Sequence, residues 1–554
     1  KWLVGAFEPK GKALKIDQLP VNTPFIELAE DWNHFELPFM KAIELLPALE
    51  KMGISKFFNG PESFTPDLHF ILGEIPGLPR CFVSAGYNSE GIEFGAGAGR
   101  ALAEWIVEGH PTMDLSHVDI SRFHSFQINK HYLHDRIPEI VGLHYKPNWP
   151  HYQMESARGV RKSSLHDRWI SLGASFGEGL GWERPMWFAP KGTKPNNKYS
   201  HTKPNWFKYT AKECKAAREK AIIIDQSSFG KHLVQGRNAL NELQRICAGN
   251  INVPVGKIVY THMLNSSGGI ECDITVNRLA ENKFLLISSA TVQSRDKSWM
   301  ERNLRDETVT LTDVTSSYSV LSLQGPKSRK ILSRISDTNF DNEDFPFGTS
   351  QKIDLGYARV IANRLTYIGE LGWELHIPTE FSQHVFDQIW SIGSDYGLKP
   401  AGYHALEHLR SERAYREYEL DLTPEDTPYE AGLGFTVDLK KEFDFIGRTA
   451  LMQQKETGIL NKRLVMFQLQ DPKPVLFQEE PIRLDGKPVG YITSGAFGFT
   501  IGKSVGMGYV HHQEGVTNEL LNSGNWTIEI ACENYAADVS LRPFFDPRGK
   551  RLET

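Results

Sequence analysis

Cysteine is scarce in this sequence. Cys81, Cys214, Cys247, Cys272 and Cys532 are scattered, with no CxxC pair among them. That spacing argues against a zinc ribbon or a disulfide framework and fits a reducing compartment. Long apolar runs are lacking too. Stretches such as 221–224 and 284–287 are strand-length, far from the roughly 20 apolar residues of a membrane span. Neither sign of charge dominates: 62 Lys and Arg against 68 Asp and Glu leave a net charge of -6. No basic tract is interleaved with aromatics, so nucleic acid is not an expected partner. Repeats and low-complexity tracts are absent as well. The chain opens on Lys1-Trp2-Leu3-Val4-Gly5, strand-like and without an initiator Met or a signal peptide. It reads as the middle of a protein, with any targeting region upstream.

What is present is a folded composition, 40% hydrophobic and 23% charged over 554 residues. That is too long for one core and suits about three or four domains. An α/β segment occupies residues 1–112. Within it the spacing of Leu37, Met40, Ala42, Ile43, Leu45, Leu46 and Leu49 predicts a helix over 37–51, kinked or ended early by Pro47. A strand at 81–85 leads through a Gly-rich turn into a helix stopped by Gly109 and Pro111. Residues 113–195 are rich in His, Trp, Tyr and Arg without clear periodicity, and read as an irregular bridge. Residues 196–455 alternate strand-like runs (221–224, 284–289, 320–323, 358–361) with amphipathic stretches, an α+β pattern. Residues 456–554 form a smaller β-rich unit, with strands expected at 463–469, 489–493, 507–510 and 526–531.

Two constellations carry chemistry. The first is a pair of turns around one strand, Asn59-Gly60-Pro61 and Gly86-Tyr87-Asn88-Ser89-Glu90-Gly91-Ile92. Glycines let backbone amides approach a cofactor, and a strand-to-helix turn aims a helix N-terminus at electron-rich atoms. Gly95, Gly97 and Gly99 sit past the turn with GxGxG rather than GxGxxG spacing, and are read as close helix–sheet packing. The second constellation is Tyr260, then Gly268-Gly269 as a tight turn, then Asp273 at the start of the strand-like Ile274-Thr275-Val276. A carboxylate leaving a rigid turn is held in a fixed place. It is equally an ordinary turn-proximal Asp, and the residues alone leave both readings open. His404-Ala405-Leu406-Glu407-His408 spells HxxEH, a zinc-binding spacing, but no third ligand follows, so no metal is expected.

The stretch NGPESFTPD followed by SAGYNSEGIEFGAGAGRALAEWI resembles the C-terminal part of the D-amino-acid-oxidase-like flavoproteins. By that resemblance Asn59, Gly60, Pro61, Gly86, Tyr87, Asn88, Ser89, Gly91 and Ile92 are FAD contacts, and the dinucleotide fingerprint and covalent-flavin histidine of that family are absent here. Further on, Leu323-Gln324-Gly325-Pro326, Tyr367-Ile368-Gly369-Glu370-Leu371-Gly372-Trp373-Glu374 and Thr493-Ser494-Gly495 recur in the order of the glycine cleavage aminomethyltransferases (T-proteins). That resemblance makes Asp273 the catalytic residue beside folate N10. It sets Tyr260 and Tyr367 against the folate, and has Glu374, not Glu370, hydrogen-bond the pterin. It also exposes a departure. Leu406 stands where the family commonly has an arginine for the folate tail, and a second arginine near Cys532 is missing; Arg410 is the nearby substitute.

A flavin fold, a bridge containing GWERPMWF (181–188) and a T-protein module together resemble the sarcosine and dimethylglycine dehydrogenase family. The segments 497–501 and 543–547, with Lys550 and Arg551, lean towards sarcosine dehydrogenases. The implied fold is α+β multidomain: the C-terminal part of an FAD fold, a bridging domain, a folate-binding domain and a small C-terminal β-barrel. The implied activity is FAD-dependent demethylation of an N-methylated glycine, with tetrahydrofolate capturing the one-carbon unit. Electrons would pass to an electron-transfer flavoprotein or oxygen, in the mitochondrial matrix of a eukaryote or otherwise in the cytoplasm. The competing expectation is a non-catalytic regulatory subunit, resembling that of pyruvate dehydrogenase phosphatase, in which Asp273 or Glu374 would be replaced. Both are present.

Overall fold

A computed structural model describes residues 2–15, 19 and 24–553. Lys1 lies outside the described residues, and residues 2–8 form no strand, so the strand-like reading of the opening is not met. The chain divides into two compact units, residues 1–158 and 159–554.

In the first unit a helix runs over Trp32–Leu45. It begins before the expected 37 because Asp31 caps it, its Oδ1 accepting from His34 N at 3.2 Å. It stops just ahead of Pro47, which opens the 3-10 turn Pro47–Lys51, as the sequence predicts. Strands Ile71–Glu74 and Phe82–Ala85 pair antiparallel. The following helix, Gly91–Glu108, ends on left-handed Gly109. The close-packing expectation for Gly95, Gly97 and Gly99 is corrected here. A Cβ at any of the three would meet nothing within 4 Å, so close packing requires none of these glycines.

The bridge is not irregular throughout. Helix Lys130–Leu143 lies in the first unit, and strands Ala174–Gly179 and Trp182–Phe188 form a hairpin in the second. A register shift between Ser175 and Phe176, and Pro185 within the second strand, blur the period-2 signal that would have revealed the hairpin.

The second unit is built on two sheets. One has five antiparallel strands in the order Val309–Asp313, Gly230–Gly236, Lys283–Ser288, Ile270–Ala280, Ile258–Leu264. The other has six, in the order Ser350–Leu355, Ala358–Asn363, Gly372–Pro378, Tyr318–Gln324, Ile222–Asp225, Lys399–Pro400. Only the last pair is parallel. Alternation gives each sheet one apolar and one polar face. Met263, Cys272, Ile274, Val276, Phe284 and Leu286 pack against helix Ala239–Ile246 and Trp299. Leu321, Leu323, Val360, Trp373, Leu375 and Ile377 pack with Phe340, Phe345 and helix Ser382–Asp395. The opposite faces carry Tyr260, His262, Asp273, Thr275 and Asn277 on one sheet and Asn363, Glu374 and His376 on the other. These polar faces meet, since Asn277 Nδ2 donates to Asn363 Oδ1 at 2.9 Å. Burying so many polar groups costs stability unless each is paired, which makes this region the place to look for a site.

The strands expected in the C-terminal part close into a six-stranded barrel, in the order Lys462–Leu469, Lys503–His511, Lys487–Gly498, Pro481–Leu484, Trp526–Ile530, Glu533–Ser540. Val465, Phe467, Ile482, Ile492, Val510, Trp526 and Ile528 fill it.

Candidate functional site

Tyr260, Asp273, Tyr367, Glu374 and Glu417 are surrounded by protein yet each keeps some accessible surface, and Tyr260, Asp273 and Tyr367 are near enough to act on one another's charge; these five define the candidate recess. The loop before strand Ile270–Ala280 fixes the second of these. Gly268 is left-handed (φ 84), and a Cβ on Gly269 would strike Pro424 O, so only this glycine pair lets the two segments close. Asn265 ties the loop, its Oδ1 accepting from Gly269 N at 2.9 Å. The strand starts at Ile270, so Asp273 is its fourth residue rather than its first. Its partner across the ladder is His262. The Tyr260 hydroxyl is paired with Asp273, and burial first, then that carboxylate, push the phenol well above its usual range.

Tyr367 lies on the loop leading into strand Gly372–Pro378; its hydroxyl donates to Arg416 O at 2.5 Å, and its ring stacks on Tyr415 at 6.0 Å. Glu374 follows on the strand itself, facing Asn363 and Ser322 in register. Among the described residues no donor reaches its carboxylate, and burial alone pushes it up to about 7. Glu370, four residues earlier, is the opposite case. It is fully buried between Arg218 Nη1 at 2.9 Å and Arg551 Nε at 2.6 Å. The C-terminal arginine noted in the sequence therefore serves this structural carboxylate. Of the two glutamates in the motif, Glu370 holds two arginines on its Oε1 and is closed off from solvent, whereas Glu374 meets no donor among the described residues and keeps some accessible surface for a ligand.

Arg410 does not stand in for the missing tail arginines. Its guanidinium meets Glu407 at 2.8 Å, Glu417 at 2.8 Å and Asp421 at 3.1 Å, and is 1% exposed. Asp421 in turn accepts from Thr493 at 2.5 Å and Ser494 at 2.8 Å. The Thr-Ser-Gly motif is thus a tie between barrel and recess wall. Glu417 is pushed up to about 8 by burial and by neighbouring Glu407. Leu406 is buried in the core and Cys532 is exposed in a turn. The HxxEH residues lie in helix Tyr403–Glu412, where the His404 ring stacks on Trp206 (5.0 Å, 5°) and His408 Nδ1 lies 2.9 Å from Phe497 O. Among the described residues no group of three or more His, Cys, Asp or Glu is assembled for a metal.

The flavin-type turn lies in the first unit. Gly86, Asn88 and Ser89 are all left-handed (φ 65, 52 and 71), and a Cβ on Gly86 would press on Thr65 at 2.9 Å. Asn88 is turned inward, accepting from Thr65 N at 2.8 Å. Ser89 Oγ donates to Glu62 at 2.9 Å, while the Tyr87 ring stacks on Phe70 at 4.9 Å. These contacts gather 86–89 onto loop 62–65. Asn59, just ahead of that loop with Gly60 and Pro61, is tied elsewhere, to Ala29 O at 2.7 Å. Gly91 opens the helix, and Ile92 is fully exposed.

Sequence reasoning missed His262. Its only signal was the alternation that sets it on the face of Tyr260, two residues away. The buried network of Asn277, Asn363 and His376 was likewise invisible, because its members come from three strands.

Comparison with known proteins fits this division. The GCVT N-terminal domain model matches residues 165–441, the glycine cleavage T-protein C-terminal barrel domain matches 462–546, and the FAD dependent oxidoreductase central domain matches 108–163. The chain is 40% identical over 550 residues to 4-methylaminobutanoate oxidase (formaldehyde-forming) of Paenarthrobacter nicotinovorans, covering 99% of this chain and 66% of that protein. It is 38% identical to the mitochondrial pyruvate dehydrogenase phosphatase regulatory subunit of Mus musculus, covering 98% and 63%. It is 36% identical to mitochondrial sarcosine dehydrogenase of Homo sapiens, covering 94% and 61%. The chain thus spans just under two thirds of the length of these relatives. The crystal structure of glycine cleavage system aminomethyltransferase T from Bartonella henselae superposes with a TM-score of 0.59 at 22% identity, covering 70% of this chain and 99% of that one, which shows a shared fold.

Proposed function

The chain belongs to the sarcosine/dimethylglycine dehydrogenase family, which joins an FAD dependent oxidoreductase central domain to a glycine cleavage T-protein module, and on that premise we propose that the protein oxidatively demethylates an N-methyl amino acid and passes the one-carbon unit to tetrahydrofolate. The observation that carries the folate half is Glu374, a carboxylate enclosed in a recess with no donor of its own. A reduced pterin presents two N–H donors on one edge, N3 and the 2-amino group, and a carboxylate accepts both. Tyr260 and Tyr367 supply flat apolar faces for the ring system. Asp273, paired with the Tyr260 hydroxyl, stands as the base or electrostatic partner for N10 as it attacks the one-carbon carbon.

The flavin turn fits an isoalloxazine edge, because an 18-residue helix begins at Gly91 with an exposed Ile92 beside it. Gly86, Tyr87, Asn88, Ser89, Gly91 and Ile92 are the residues that would hold FAD there, Asn88 through its backbone because its side chain is bonded to Thr65, with Asn59, Gly60 and Pro61 near the adjoining loop. Bound FAD supplies the hydride acceptor that turns an N-methyl amine into an iminium ion. Two relatives are named for acting on 4-methylaminobutanoate and sarcosine, both N-methylated amino acids, so the substrate class proposed is that, with an N-methylated glycine as its smallest member. A eukaryotic version would act in mitochondria, a proposal supported by the likeness to mitochondrial sarcosine dehydrogenase, and the electron acceptor proposed is an electron-transfer flavoprotein or oxygen.

The likeness to a phosphatase regulatory subunit favours a second reading, a subunit that kept the fold without the chemistry. One experiment separates the two. Calorimetric titration with tetrahydrofolate is paired with methylenetetrahydrofolate yield from the full-length enzyme, for wild type and Asp273→Asn. The expected result is unchanged folate affinity with slowed capture in the variant. Unchanged yield rejects Asp273 as the reacting group, and no folate binding by the wild type favours the regulatory reading.

A further inference from the structure

Asp273 Oδ1 is buried and takes part in no aligned hydrogen bond, and the same holds for His262 Nε2, which faces it at 3.2 Å. His262 is 0% exposed, on strand Ile258–Leu264, directly opposite Asp273 in the ladder. Its other nitrogen, Nδ1, lies 3.0 Å from Thr436 Oγ1, which also reaches Leu433 O at 2.7 Å. Thr436 has one hydroxyl proton to give. If it goes to Nδ1, the neutral ring carries its proton on Nε2. If it goes to Leu433 O, Nδ1 must donate to Oγ1, and a proton on Nε2 then makes the ring cationic. With Asp273 ionised, an unprotonated Nε2 would set two lone pairs 3.2 Å apart away from water, an arrangement that burial penalises heavily. Both arrangements therefore leave a proton between Nε2 and Oδ1.

We propose that His262, anchored by Thr436, is a positioning residue for Asp273: it occupies Oδ1 and so leaves Oδ2 as the oxygen free to turn to the recess. The Asp273 side chain keeps 18% of its surface accessible while Oδ1 keeps none, which leaves Oδ2 as the oxygen that can face a ligand. The groups around the pair are few. Tyr260 packs on His262 from the same strand at 5.3 Å, Thr436 comes from the turn Gly434–Thr436, and Asp296 on helix Gln293–Asn303 and Tyr367 lie beyond Asp273. None of them reaches Oδ1 in place of His262.

The inference rests on the folate reading for its kinetic arm and on the pair alone for its spectroscopic arm. In the full-length enzyme, His262→Leu is expected to leave tetrahydrofolate affinity within about twofold and to lower the rate of one-carbon capture about tenfold, since small errors in placing a reacting group cost that much or more. In His262→Gln the side-chain amide can reach the Nε2 place as a donor, and most of the rate should return. In the double variant with Asp273→Asn, the leucine substitution should add no further loss. A glutamine variant as slow as the leucine one, or a leucine variant as fast as wild type, overturns the proposal. Nitrogen-15 spectra of imidazole-labelled protein without folate should show Nε2 of His262 protonated, and altered by Asp273→Asn. An Nε2 that is unprotonated, or indifferent to that change, overturns the proposal as well. If the wild type binds no tetrahydrofolate, the folate reading falls while the spectra still decide the pairing.

Discussion

The recess and the flavin turn are both reached by motif, yet the structure treats them differently. In the recess, residues from two sheets converge, and Glu374 is left without a donor among the described residues. In the flavin turn, the side chains of Tyr87, Asn88 and Ser89 are satisfied by Ser84, Thr65 and Glu62 within their own unit. What remains open there is backbone and the exposed Ile92. A site that binds through side chains needs walls on every side, and the cost of those buried, unpaired groups is visible in the fold. A site that binds through backbone at a turn shows almost no such cost. The same contrast recurs at the scale of two residues, in Glu370 with two arginines and Glu374 with none.

The glutamate pair allows the largest test. Glu370→Ala leaves Arg551 and part of Arg218 without their buried counter-charge and should destabilise the protein by about 3 kcal/mol or more, read as a lower denaturant midpoint. Equal losses at Glu370 and Glu374 would erase the distinction between them. Glu374→Gln should act in the opposite direction. Its carboxyl titrates near 7 in the folded protein against roughly 4.3 when unfolded, so ionisation costs stability progressively as pH rises between those values. The variant should be more stable than wild type at pH 8, by on the order of 2–3 kcal/mol, and no more stable at pH 4. A gain that does not depend on pH would place the cause elsewhere.

Ligand binding sharpens the same contrast. Glu374→Ala should weaken tetrahydrofolate about ten- to a hundred-fold by calorimetry, the loss of charge-assisted hydrogen bonds worth roughly 1.5–3 kcal/mol. Because the ionised carboxyl is the acceptor, wild-type affinity should fall about tenfold per pH unit below about 7, and a pH-independent affinity contradicts that role. The smallest effect is expected at the flavin turn. This chain carries no GxGxxG turn for a pyrophosphate and should hold little FAD by itself, so a yellow preparation with one flavin per chain would show the turn to be sufficient.

Much of the architecture was legible beforehand. Runs such as 284–289 and 463–469 are strands because their apolar residues and β-branched neighbours permit little else, and Pro47 and Gly109 end their helices through their own backbone geometry. The hairpin at 174–188 escaped because its bulge breaks the period, and the packing reading of Gly95, Gly97 and Gly99 failed because glycine has a local signature but no signature of what lies opposite it. Ordered motifs named Tyr260, Asp273, Tyr367 and Glu374 as candidates, since identity and order along a chain survive in sequence.

Which charges are spent and which are free was decided only in three dimensions. Arg410 reads as a spare cation and is held by three carboxylates, one of which the Thr493-Ser494 pair also binds. Arg551 reads as a tail residue and pairs with a glutamate 181 positions away. His262 reads as an unremarked strand residue and stands opposite Asp273. Local sequence sets propensity and alternation, because these depend on neighbours along the chain. Whether a buried charge finds a partner depends on segments far apart in sequence, and only packing brings those together.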